Sequence, residues 1–102
     1  MTKEKSPPSR PALAELIDVL GTKWVMRILW ELRDRPLTFR ALQQACGGLS
    51  PSVLNGRLKL LEEKQLLEKA EGGYGLTGLG EELMLLQQPL ADWAQGWQRS
   101  LP

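Results

Sequence analysis

From Ala12 onward, apolar residues return at three- and four-residue intervals. Leu13, Leu16, Ile17 and Leu20 hold the i, i+3, i+4, i+7 spacing of one helical face. Gly21 suits the end of that helix and Thr22 the cap of the next, expected over residues 21–32. There Val25, Ile28, Leu29 and Leu32 form one stripe, while Trp24, Met26 and Trp30 carry apolar surface round to the other sides. A helix apolar on nearly every side belongs at the centre of a fold. After a break at Arg33-Asp34-Arg35-Pro36, Thr38 is the expected cap of a third helix, with Phe39, Leu42 and Cys46 on one face. Gly47-Gly48 closes it, because a left-handed residue at a helix end is most often glycine. Ser50 then caps a fourth helix, residues 50–64, and Pro51 takes its first position, where a missing N–H does no harm.

The fourth helix has two dissimilar faces. Leu54, Leu58 and Leu61 point toward a core, and Ser52, Asn55, Gly56 and Lys59 point away from it. Gly56 should cost about 1 kcal/mol relative to alanine inside a helix. Such a cost suits a place where another backbone or a nucleic acid comes close, though a plain solvated face would also carry these residues. Two helices set at an angle by a short glycine-containing turn are a helix-turn-helix, the unit that places its second helix in a DNA groove. Residues 68–71 and 74–77 flank Gly72-Gly73, a two-residue signal for a tight hairpin in the position of a wing. That wing is short, and its tip offers Glu71 and glycines, with Lys69 as the nearby cation for a DNA phosphate. A last helix starts at Thr77 or Gly78. Its Leu79, Leu83, Leu86, Leu90, Trp93 and Trp97 alternate spacings of four and three, and Pro89 should kink or split it. Leu86, Leu90, Trp93 and Trp97 are more apolar surface than a small monomer leaves open, so a homodimer interface is expected there, with part of the seam folding back on the first helix.

The fold class is therefore mainly α (α+β): a winged helix-turn-helix with a short two-stranded wing and terminal helices forming a dimer interface. Residues 1–11 read as a flexible arm, expected as a disordered tail in preference to one whose Lys3, Lys5 and Arg10 follow a DNA groove. Residues 12–77 form the DNA-binding domain, and residues 78–102 the dimerisation helix packed on it. With 102 residues the chain holds one modest core. The charged, proline-rich start is not a secretory signal, and no apolar run is long enough for a membrane. A lone cysteine makes no internal disulfide, which fits the cytoplasm. The absence of histidine removes the usual zinc sets and most nucleophilic dyads, so neither an enzyme nor a cofactor is expected. The net charge of +1 is small for a DNA binder, and what matters is whether the cations share a surface.

The segments LGTKWVMRILWEL, LTFRALQQACGGLSPSVLNGRLKLLEEKQLLEK, YGLTGLGEEL and PLADWAQGW, in that order, resemble the HxlR-type winged helix-turn-helix regulators. The resemblance runs over residues 16–97. Its most distinctive parts are Gly-x-Lys-Trp at residues 21–24 and the GLS…L…RL..LE core at residues 48–62; LT.LG at residues 76–80 is shared with related groups. It implies a dimeric bacterial transcription regulator whose fourth helix enters the major groove of double-stranded DNA. Ser52 and Asn55 would read bases with Lys59 farther along, asparagine being suited to a bidentate contact with adenine. Ser50 and its helix N-terminus would hold a phosphate. Lys23, Arg40 and Arg57 would hold others, unless Arg57 pairs with Glu62 or Glu63. Some members sense oxidants or electrophiles through a cysteine near the N-terminus; residues 6–10 carry no thiol, and Cys46 reads as a buried core residue. The wing is shorter than the family's and lacks its basic tip.

Two readings of different class stay open. The first is a sequence-specific DNA-binding regulator. The second is a winged-helix protein-interaction module without specific DNA binding, which the near-neutral charge and blunt wing favour, since fold does not fix function. Trp93 and Trp97 read as packed interface; from two subunits they would also suit a slot for a small flat aromatic effector.

Overall fold

The computed structural model describes residues 11–102, so the expected arm, but for Pro11, lies outside the described residues. The order is α1 (Ala12–Leu20), α2 (Val25–Glu31), α3 (Phe39–Ala45), α4 (Pro51–Glu63), β1 (Leu67–Ala70), β2 (Gly73–Leu76) and α5 (Gly78–Arg99). This is the expected winged helix-turn-helix arrangement. Among the described residues, no helix is long and apolar enough to cross a membrane.

The core forms where the stripes meet. Val25, Ile28, Leu29 and Leu32 of the central helix region are buried, together with Leu42, Cys46, Leu54, Leu58 and Leu61 from the next two helices. Helix α2 packs against α1, α3 and α5, as its all-round apolar surface requires. Helix α1 departs from the simple pattern. Its buried residue is Val19, while Leu13 and Ile17 of the apolar stripe stay exposed.

Capping chemistry fixes most boundaries. Thr38, Ser50 and Thr77 each accept a backbone N–H with the side-chain oxygen, from Ala41, Val53 and Gly80. At the end of α3, Gly48 N–H donates to Gln43 O and Gly47 N–H to Gln44 O, with φ of +83° and +79°. That paired pattern is a Schellman motif, which consumes carbonyls a helix end otherwise leaves open. Helix α4 ends in the same way, through Leu66 N–H to Leu61 O and Gln65 N–H to Glu62 O, with Gln65 at φ +60° in place of glycine.

Several expectations need correction. Helix α2 starts at Val25, four residues later than expected at residue 21, because Thr22 donates its hydroxyl back to Asp18 O at 2.9 Å and Trp24 takes φ +77°. The hairpin turn is Glu71-Gly72, both at positive φ, and Gly73 already pairs with Ala70 inside the ladder. Gly73 serves a different need: a Cβ there would lie 2.1 Å from Leu37 O. Leu37 forms a bridge to Tyr74, donating N–H at 3.0 Å and accepting at 2.8 Å, on the edge of β2 away from β1. Pro89 does not split α5, which runs unbroken from Gly78 to Arg99. The carbonyl robbed of its partner is that of Leu85, on an exposed side of the helix where water can satisfy it.

Thr77 joins the wing, α4 and α5. Its N–H donates to Leu66 O, its hydroxyl donates to Gln65 O at 2.7 Å, and its side chain caps α5. One turn later Gly80 is buried, and a Cβ there would meet Leu66 O at 2.2 Å. The Leu-Thr-x-Leu-Gly segment is thus a cap followed by a close backbone crossing.

Candidate nucleic-acid interface

The two faces of α4 follow from its leucines. With Leu54, Leu58 and Leu61 fully packed, the period of the helix turns Ser52, Asn55, Gly56 and Lys59 outward, and all four are exposed. Beyond the adjoining backbone of α4, no atom of the described residues comes within 4 Å of a Cβ built on Gly56, so no packing contact among them requires glycine there. Ser50 is exposed at the helix start, its Oγ accepting from Val53 N–H at 3.3 Å. The turn before it is braced by Gln43, whose Nε2 donates to Leu49 O at 2.8 Å. Arg27 on α2 donates from Nη2 to Ala45 O at 2.7 Å while pairing with Glu31, placing a cation at the negative end of α3.

Two further ties fix α4 against the first helices. Arg57 Nε donates to Lys23 O at 2.7 Å, and Lys64 Nζ pairs with Glu15 Oε2 at 2.9 Å. Arg57 is half-buried beneath the α1–α2 turn, and the carboxylate of Glu62 pairs with Lys69, at 3.5 Å. Lys23 is exposed at that turn with Nζ 5.8 Å from the Trp24 ring centre. Arg40 is exposed in the first turn of α3. Between α4 and the hairpin lies an open groove of about 390 Å³, lined by Asn55, Gly56, Lys59, Glu62, Lys69 and Tyr74. Lys69 Nζ stands 5.6 Å from the Tyr74 ring centre. Glu62 and Tyr74 escape a reading of sequence motifs, although a carboxylate seven residues before Lys69, across a helix end, is a pairing signal in hindsight.

The apolar seam divides between two directions. Leu83 and Met84 pack on the core, whereas Leu86, Leu90, Trp93 and Trp97 are open, the tryptophans 64% and 52% exposed. Trp93 and Trp97 stack with ring centres 6.1 Å apart and planes 11° from parallel. The Leu13 and Ile17 side chains of α1 add further uncovered apolar surface. Cys46 is buried, and burial pushes its thiol pKa up, with Arg27 opposing more weakly. Among the described residues, no group of three or more His, Cys, Asp or Glu is placed to hold a metal ion.

Residues 19–101 match the HxlR-like helix-turn-helix family. The chain belongs to that family. A relative, the uncharacterized HTH-type transcriptional regulator YvaP of Bacillus subtilis, is 28% identical over 85% of this chain and 87% of its own length. Among solved structures, the quinone-bound YodB from Bacillus subtilis superposes with a TM-score of 0.78, at 28% identity, covering 86% of this chain and 99% of that one. A possible HxlR family transcriptional factor from Thermoplasma volcanium superposes with a TM-score of 0.72 at 26% identity, covering 93% of this chain and 88% of that one. These relatives are regulators of transcription, and a DNA-binding regulator is the function that HxlR-like membership supports for this chain.

Proposed function

We propose that this chain is a homodimeric, sequence-specific DNA-binding regulator of transcription, cytoplasmic, with α4 reading the major groove. The observation that carries the reading is the face of Ser52, Asn55, Gly56 and Lys59: exposed, small and polar, on a helix whose other side is clamped into the core. Asn55 and Ser52 are assigned to base edges and Lys59 to the next step along the groove. Ser50, Lys23, Arg40 and Lys69 are assigned to phosphates, which fix register rather than sequence. Residues 12–77 act as the reading unit, and residues 78–102 as the dimerisation helix.

The homodimer rests on Leu86, Leu90, Trp93 and Trp97 with Leu13 and Ile17, which water faces in the single chain. Apolar surface so concentrated on terminal helices marks an association face. The stacked Trp93–Trp97 pair also gives a flat apolar wall suited to a small planar aromatic effector, a reading supported by the quinone in the YodB structure.

The test is fluorescence anisotropy on labelled duplex from the gene's own upstream region, against a scrambled duplex, across a salt series. Tight binding to the native duplex over a much weaker scramble is expected. If half of the three cations assigned to phosphates engage in both subunits, log K against log[salt] falls with a slope of about −3. Asn55→Ala should narrow the gap between native and scrambled duplex by roughly 1–3 kcal/mol. Equal, weak binding to both duplexes would reject the reading in favour of a protein-interaction module.

A further inference from the structure

The groove between α4 and the hairpin holds a carboxylate where the DNA backbone should pass. Its lining brings Lys69 and Tyr74 of the hairpin beside Asn55, Gly56 and Lys59 of α4, so that an ammonium group and a backbone stretch with no side chain in the way stand where a phosphodiester would pass next to the base-reading side chains. Glu62 lies in the same lining, half-buried, with Oε2 3.5 Å from Lys69 Nζ. The lysine is the more exposed partner, its side chain 72% exposed against 32% for the glutamate. A phosphate entering this groove meets Lys69 already engaged and a fixed negative charge beside it.

We propose that the groove receives a backbone phosphate of the bound DNA, and that Glu62 is an internal competitor that holds Lys69 until that phosphate displaces it. The inference rests on the DNA-binding reading above. Its physical basis is exchange: the ammonium leaves one carboxylate oxygen for a phosphate oxygen, and the carboxylate left behind repels the incoming strand. An exposed pair of this kind is weak, so the exchange is readily made and its cost falls on affinity rather than on fold. Glu62 thereby weakens attachment to any sequence alike, which leaves a larger share of the affinity to Ser52 and Asn55. A non-specific phosphate contact of full strength would do the reverse.

The test uses the full chain and the same anisotropy assay, comparing wild type with Glu62→Gln, Lys69→Ala, the double variant, and Glu63→Gln. Glu63 is an exposed neighbour outside the groove lining, and its neutralisation changes net charge by the same amount. Glu62→Gln should tighten binding of native and scrambled duplex together, by about three- to ten-fold for two subunits at low salt. The salt dependence should steepen by up to about 1.8. On the Lys69→Ala background the gain from Glu62→Gln should shrink to the relief of repulsion alone, the share owed to freeing Lys69 being lost, and melting temperature should hold. Unchanged or weaker binding by Glu62→Gln would overturn the proposal, weaker binding making Glu62 a support that aims Lys69 at DNA. An equal gain from Glu63→Gln would also overturn it, by reducing the effect to overall charge. Failure of the wild type to bind any duplex would instead remove the DNA-binding reading itself, and this inference with it.

Discussion

Arg57 is a side chain for which two roles leave crossed signatures. Its Nε–H donates to Lys23 O at 2.7 Å, between positions 34 residues apart in sequence, from a half-buried site on α4. A hydrogen bond with a charged partner contributes about 1.5–3 kcal/mol, and partial exposure argues for the lower end. Arg57→Gln should therefore destabilise the chain by about 1.5 kcal/mol. A domain of this size shifts by about 4–8 °C per kcal/mol, so a fall of roughly 6–12 °C in Tm is expected by circular dichroism. Were the guanidinium a phosphate ligand, the same change would leave Tm alone and flatten the salt dependence of DNA binding by about 1.8 for a dimer. Arg57→Lys sharpens the comparison. Lysine keeps the charge and would largely replace a phosphate contact, but it lacks the planar Nε–H donor that meets the carbonyl. The structural role predicts that both variants lose Tm while the salt slope holds. A flattened slope with an unmoved Tm in Arg57→Gln would refute it.

Three other outcomes follow from the same geometry. Gly56→Ala has open space for its methyl and should stabilise α4 by about 1 kcal/mol in thermal melts, yet weaken binding of the native duplex by placing that methyl on the reading face. Burial raises the Cys46 pKa, so folding favours the neutral thiol. Its contribution is full below the ordinary thiol pKa of about 8.5 and declines as pH climbs through the higher folded value. Wild type should lose stability above about pH 9 more steeply than Cys46→Ala, with thiol reagents reacting slowly below that range; parallel pH profiles would count against it. If the proposed homodimer forms through this face, Trp93→Glu should make the protein monomeric in sedimentation velocity and abolish tight DNA binding, while leaving the monomer fold intact, because Trp93 is 64% exposed in the single chain.

The elements legible in the sequence were those whose cause is local. Thr38, Ser50 and Thr77 cap the helices they precede, and Gly47-Gly48 closes α3, because a cap or a left-handed residue is satisfied within four residues of itself. The hairpin shows the limit. Gly72 and Gly73 look like one turn signal but answer separate demands, positive φ at Gly72 and clearance from Leu37 O at Gly73. Only the second depends on a segment more than thirty residues away, and it moves the turn back onto Glu71. The same holds for α4: its exposed face follows from the leucine period, but the bonds that orient it, Arg57 to Lys23 O and Lys64 to Glu15, join parts of the chain that no periodicity connects. The start of α2 is a local failure, since Thr22 had two carbonyl and amide neighbours to choose from and bonded backward to Asp18.

The small net charge looked like an argument against DNA, and the placement of the charges removes much of its force. Among the described residues, Arg27, Arg33, Lys64 and Lys69 stand in ion pairs with Glu31, Asp34, Glu15 and Glu62. Lys23, Arg40 and Lys59 stand outside them, each exposed. Paired charges cancel in the sum and largely cancel in the field beyond a Debye length, whereas an unpaired ammonium within contact range of a phosphate acts at close to full strength. The number that governs DNA attachment is therefore the count of uncompensated cations on the contacting surface, not the total for the chain. On that count the electrostatic contribution is modest but present. A regulator with a modest phosphate contribution owes a larger share of its affinity to base contact, and under the proposed function that weight falls on Asn55.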